Sequence, residues 1–138
     1  MRMRSALLIA SLLLSSAAFA QDAASGDLAK AAASNWLALT DAGTYGASWD
    51  KAAPPFQKAI DKQGWEQALR NVRMPLGTVK ARRLTKAEFT HSLPGAPDGD
   101  YFVLQFATQF ENKAAAVETV TPMKGPDGTW RVSGYFIK

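Results

Sequence analysis

Asp41 and Tyr45 stand four residues apart, one turn of a helix. An aspartate base facing a tyrosine hydrogen-bond donor in an apolar cavity can move a proton to and from carbon, the chemistry of small isomerases and hydratases. His91 is the alternative base. It is the only histidine, and histidine is the side chain that ordinarily titrates near neutral pH. Arg83 falls on the inward side of a strand by parity. A guanidinium is not buried unpaired, so Arg83 snorkels outward, pairs with a helix carboxylate such as Asp41 or Asp50, or meets an anionic ligand. Gly134 is the inward position of the last strand without a side chain, where a helix aromatic (Trp36 or Trp49) or a ligand approaches closely. Asp41, Tyr45, Arg83, His91 and Gly134 therefore make up the candidate inward pocket. Each also has a structural reading: His91 as a core or rim histidine, Asp41 as a hydrogen bond to the next helix, Gly134 as a packing contact. Glu88 and Glu118 fall two strands apart, about 9.6 Å, near the upper limit for the carboxylate pair of an inverting glycosidase. On a flat sheet face with no cleft they read as solvent or interface groups. A lone histidine and the absence of cysteine leave no paired-histidine or thiolate metal site and no disulfide. No metal or cofactor is expected.

The elements that must position these residues change character once along the chain. Leu28, Ala32, Trp36 and Leu39 recur at helical spacing, with Asp27 as N-cap and Gly43 past the end. A short helix follows from Tyr45 to Ala52, capped by Thr44. Pro54-Pro55 starts a third, carrying Phe56 and Ile60, which Gly64 breaks. Trp65, Leu69 and Val72 mark a fourth, ended by Pro75 and Gly77. From Thr78 the period becomes two. The turns Pro94–Gly99, Glu111-Asn112 and Gly125–Gly128 separate four strands. Helices first and a meander second predict an α+β fold, with N-terminal helices packed on one face of a four-stranded antiparallel sheet.

Pairing each hairpin symmetrically about its turn predicts inward rows His91–Phe102–Thr121–Val132, Phe89–Leu104–Thr119–Gly134 and Ala87–Phe106–Val117–Phe136. The reverse face then carries Glu88, Gln105, Glu118 and Tyr135 in one row, with Tyr101, Val103 and Val120 beside it. That face is too mixed for a core and too apolar for plain solvent. Tyr101, Val103, Gln105, Glu118, Val120 and Tyr135 are accordingly the candidate interface of a homodimer. A β-bulge in the long first strand is what would break this register.

Three segments together resemble a known family. They are Trp36-Leu37-x-Leu39-x-Asp41-x-Gly43-x-Tyr45 with Ser48-Trp49-Asp50, then Arg73-x-Pro75-Leu76-Gly77, and finally Asp127-Gly128-x-Trp130-Arg131-Val132-x-Gly134-Tyr135. They look like the small exported bacterial proteins of the domain of unknown function 4019 family, over about Leu28 to Ile137. The resemblance implies no activity. More distantly, the helices-then-sheet order is similar to the cystatin-like group that includes nuclear-transport-factor-like and ketosteroid-isomerase-like domains. That likeness implies a conical pocket between helices and sheet, although nothing from Asp50 to Trp65 reads as the short strand that helps close such a cone.

The first twenty residues have the layout of a secretory signal peptide: Arg2 and Arg4, an apolar run from Ala6 to Leu14, and Ala18-Phe19-Ala20 before Gln21. Cleavage between Ala20 and Gln21 would place the protein in the periplasm, or outside a cell with one membrane, with no stable membrane anchor. Residues 21–26 read as a flexible leader and 27–138 as a single domain. Removing Arg2 and Arg4 lowers the formal charge from +4 to +2. No basic cluster exceeds Arg82-Arg83, so nucleic acid is not an expected partner. Without a nucleophile, base and metal set, the residues point to a non-enzymatic binding or interaction module for a small molecule or an envelope protein. A pocket enzyme of the isomerase or hydratase type, and a structural domain with no ligand, are the alternatives.

Overall fold

The computed structural model describes the chain from Leu14, with side chains from Ala23. The charged start and nearly all of the apolar run of the expected leader lie outside the described residues. Four helices, α1 (Leu14–Asp41), α2 (Tyr45–Asp50), α3 (Pro54–Ala59) and α4 (Lys62–Leu76), precede four strands, β1 (Val79–Thr90), β2 (Tyr101–Phe110), β3 (Lys113–Lys124) and β4 (Trp130–Ile137). The strands pair antiparallel in chain order, and the helices cover one face. This is the α+β plan read from the sequence.

Helix α1 continues through 21–26, where a leader was expected, because alanine-rich sequence sustains helix. Asp27 lies inside it rather than capping it. Its buried face is Ala29, Ala33, Trp36, Leu37 and Thr40, while Leu28 is largely exposed. The alanines let the helix approach the sheet closely. Gly43 (φ 76°) ends α1, and Thr44 closes that end through its Oγ1, which donates to the Leu39 carbonyl at 2.8 Å, instead of capping α2. Gly64 starts α4 rather than breaking a helix: its N–H donates to the N-cap carboxylate of Asp61 at 2.7 Å.

Aromatic rings fill the space between helices and sheet. Trp36 packs on Phe56, Trp65 and Tyr135 with centroids 6.3, 6.0 and 5.1 Å away. The polar edges of the helix tryptophans are satisfied: Trp36 donates to the Ser48 carbonyl, Trp65 to the Ser48 hydroxyl and Trp49 to the Ile60 carbonyl.

Three irregularities overturn the predicted facing. Thr85 is an extra residue between the pairs Leu84↔Phe106 and Lys86↔Gln105, so Arg82 and Leu84 share the helix side with Ala87 and Phe89, and Arg83 faces away. A shift between Thr108↔Ala116 and Phe110↔Lys113 moves β3 by one residue. Ala116, Glu118 and Val120 consequently point toward the helices, and Val117, Thr119 and Thr121 point out. On β4, Ser133 is extra between Pro122↔Val132 and Thr121↔Gly134. Pro122 has no N–H for a ladder bond, and the Ser133 hydroxyl donates to the Thr121 carbonyl there at 2.9 Å. Past this bulge Tyr135 and Ile137 face inward, and Gly134 and Phe136 outward.

Glu118, Val120 and Tyr135 are therefore core-side groups and not interface residues. Gly134 meets only Thr121 among the described residues, at an ordinary 3.7 Å from where its Cβ would lie, so no helix aromatic approaches it. Tyr101, Val103 and Gln105 keep the outer face. Tyr101 is buried there by its own hairpin loop, with Gly99 against its ring and its hydroxyl donating to the Pro97 carbonyl at 2.5 Å.

Candidate functional site

With Arg82 turned inward by the Thr85 bulge, a charged network forms beneath the helix ends. Arg82 grips Asp41 with two bonds, Nη1 to Oδ2 at 2.7 Å and Nη2 to Oδ1 at 2.9 Å, and its Nε donates to Glu118 Oε1 at 2.8 Å. Glu118 is fully buried and also accepts from Thr108 Oγ1, at 2.6 Å, and from the Tyr135 hydroxyl. Arg73 arrives from the last turn of α4, donating to Thr40 Oγ1 at 2.9 Å and Asp41 Oδ1 at 2.8 Å, with its guanidinium over the Phe110 ring. Burial alone would raise the Asp41 pKa, but hydrogen bonds from Arg82 and Arg73 outweigh it and hold the carboxyl below its usual range. Burial, and then the Glu118 charge, push the Tyr135 hydroxyl far above the ordinary phenol value. Two arginines and two carboxylates neutralise one another, so the cluster is a closed structural tie between α1, α4 and all four strands. It offers no open coordination position and no free base.

The open chemistry lies elsewhere. Where α1 passes the far end of the sheet, a groove of about 520 Å³ runs between Ser25 and the strand ends. Its floor is a ladder of rings: His91 on Phe89 at 4.8 Å, Phe89 on Phe102 at 5.3 Å, and Phe102 on Trp130 at 5.4 Å. Gly26 lets α1 close on the end of the Phe102 ring, 3.5 Å from where a Cβ would lie. Phe89 remains 47% exposed. Trp130 is buried, and its indole N–H, unlike those of the other three tryptophans, has no partner among the described residues. Polar groups sit at the rim: His91 Nδ1 lies 3.0 Å from Asp100 Oδ1, and Lys124 lines the same groove.

The expected pocket does not assemble. Asp41 is locked in the ion network. Tyr45 packs at the margin of the core. Arg83 lies on the outer face and Gly134 on an outer position of β4, which leaves His91 alone in the groove, with its side chain 76% exposed. The helix carboxylate Asp41 does pair with a strand arginine, but that arginine is Arg82. Glu88 and Glu118 lie on opposite faces and form no catalytic pair. Among the described residues no group of His, Asp or Glu side chains is arranged to hold a metal ion.

The pattern of the protein of unknown function family DUF4019 matches residues 32–135, most of the chain. The chain belongs to this family. No curated protein and no solved structure matches it. In this DUF4019 chain the matched span contains every residue of the ion network. It also contains all of the groove except the contribution of α1 around Ser25.

Proposed function

We propose that this DUF4019 protein is an exported, non-enzymatic binding module, and that its binding site is the aromatic groove at the end of the sheet. The proposal includes export through the N-terminal leader and a cystatin-like kinship of the helix-then-meander order. The observation that carries it is the half-exposed Phe89 at the centre of a ring ladder in an open groove. Water-facing aromatic surface beside a few polar groups is the usual composition of a small-molecule site. The isomerase or hydratase reading loses its support, because Asp41 is held by Arg82 and Arg73 and Arg83 faces away from the helices, while His91 lines the groove without them. Thermal-shift screening of the purified protein against aromatic metabolites and envelope lipids tests the binding reading. A ligand specific to the native state raises the melting temperature, and the rise is expected to vanish in Phe89→Ala. Shifts that survive the substitution place binding elsewhere. The mass of the protein recovered from the cell envelope tests export, with a chain beginning at Gln21 as the expected product.

Self-association through the outer sheet face is a second reading, favoured by Val117 and Phe136 standing exposed on that face. Light scattering checks it: a dimer that Phe136→Lys dissociates is the expected result, and a monomer at high micromolar concentration removes the reading.

A further inference from the structure

The groove carries a charge preference as well as an apolar floor, an inference that rests on the binding reading above. Asp100 is the carboxylate among the described residues that line it, and its Oδ1 lies 3.0 Å from His91 Nδ1. Lys124 is exposed and makes no ion pair among the described residues. The Trp130 indole can only donate a hydrogen bond, and its donor is unused. Among the described residues that line the groove, Lys124 is thus the ammonium without an ion-pair partner, beside the half-exposed ring of Phe89, with the Ser25 hydroxyl at the α1 side and the Trp130 N–H beneath the floor as further donors. A volume of about 520 Å³ lies in the range of pockets for small organic molecules rather than folded partners. We propose that the groove binds a small aromatic anion, with its ring system on Phe89 and Phe102 and its carboxylate, sulfonate or phosphate directed to Lys124.

Two fluorescent probes with the same ring body separate the two parts of this claim: 8-anilinonaphthalene-1-sulfonate, which is anionic, and N-phenyl-1-naphthylamine, which is neutral. Both are titrated into the folded protein, with melting temperature and near-ultraviolet circular dichroism recorded to exclude binding to unfolded chain. Both are expected to bind, the sulfonate about tenfold tighter, as one charge-assisted contact allows. Lys124→Met should reduce that gap to less than about threefold without changing the neutral probe. Lys113→Met, which removes the same charge at the far end of β3, should leave the gap intact. Phe89→Ala, or Phe89→Leu if the alanine variant is not folded, should weaken both probes. Equal affinity of the two probes, or a gap that survives Lys124→Met, overturns the anion preference and leaves the groove reading standing. Failure of both probes to raise the melting temperature, or undiminished binding to the Phe89 variants, overturns the groove reading itself.

Discussion

Arg82 is the residue on which the buried chemistry turns. It joins Asp41 at the end of α1 to Glu118 in the middle of the sheet. Removing it strands a fully buried carboxylate with only hydroxyl donors. Breaking such a pair costs about 3–5 kcal/mol, far more than intact surface pairs contribute. Arg82→Met is expected to destabilise by that order in urea unfolding, and Arg83→Met, on the exposed outer face, by less than about 0.5 kcal/mol. The network also sets the pH limits of the fold. Asp41 has a folded pKa below its unfolded value, so its contribution is present above about pH 4 and is lost as pH falls through the lowered value. Tyr135 has a folded pKa above its unfolded value. Its contribution is present below about pH 10 and is lost as pH rises beyond that, where the unfolded chain ionises and the native phenol does not. Stability measured from pH 8 to 11 should therefore fall less steeply in Tyr135→Phe than in the parent protein. An equal slope in the two contradicts this account of Tyr135.

At the scale of elements, the order and kind of helices and strands were legible because capping, Pro/Gly punctuation and the change of period all agree. Facing was not, because it depends on single extra residues. Symmetric pairing about the turns puts Arg83, Thr119 and Gly134 inside, whereas the bulges at Thr85, in β3 near Ala115, and at Ser133 put Arg82, Glu118 and Tyr135 there. The signal was present in the apolar pattern. Leu84 is even while Ala87 and Phe89 are odd, and Trp130 and Val132 are even while Tyr135 and Ile137 are odd. A parity change of this kind inside one strand marks a bulge. The groove was harder to see, since Phe89, Phe102 and Trp130 read alike as core residues, whereas only Phe102 and Trp130 are buried and Phe89 is left half-exposed beside them. Two glycine substitutions test the corrected facing. Gly134→Ala fills ordinary space in a strand and should be neutral or stabilise by up to about 1 kcal/mol. Gly77→Ala adds a side chain at φ 75°, 2.9 Å from Glu111 Cβ, and should destabilise by more than about 1 kcal/mol. Thermal melts that reverse this order would contradict the assigned register.

At the scale of the molecule, the two ends of the sheet do different work. One end is closed by ions that tie α1 and α4 to the strands. The other is left open as rings beneath the early part of α1, close to where an exported chain would begin. This open end is the proposed binding site, and Trp130 supplies a built-in reporter for it. The chain has four tryptophans, so the 15N–1H spectrum holds four indole signals. Three of these N–H groups are already hydrogen-bonded within the fold. The most direct measurement is the movement of those signals as 8-anilinonaphthalene-1-sulfonate is added. Binding in the groove is expected to shift the Trp130 signal saturably while those of Trp36, Trp49 and Trp65 stay in place. A stationary Trp130 signal at probe saturation would contradict it.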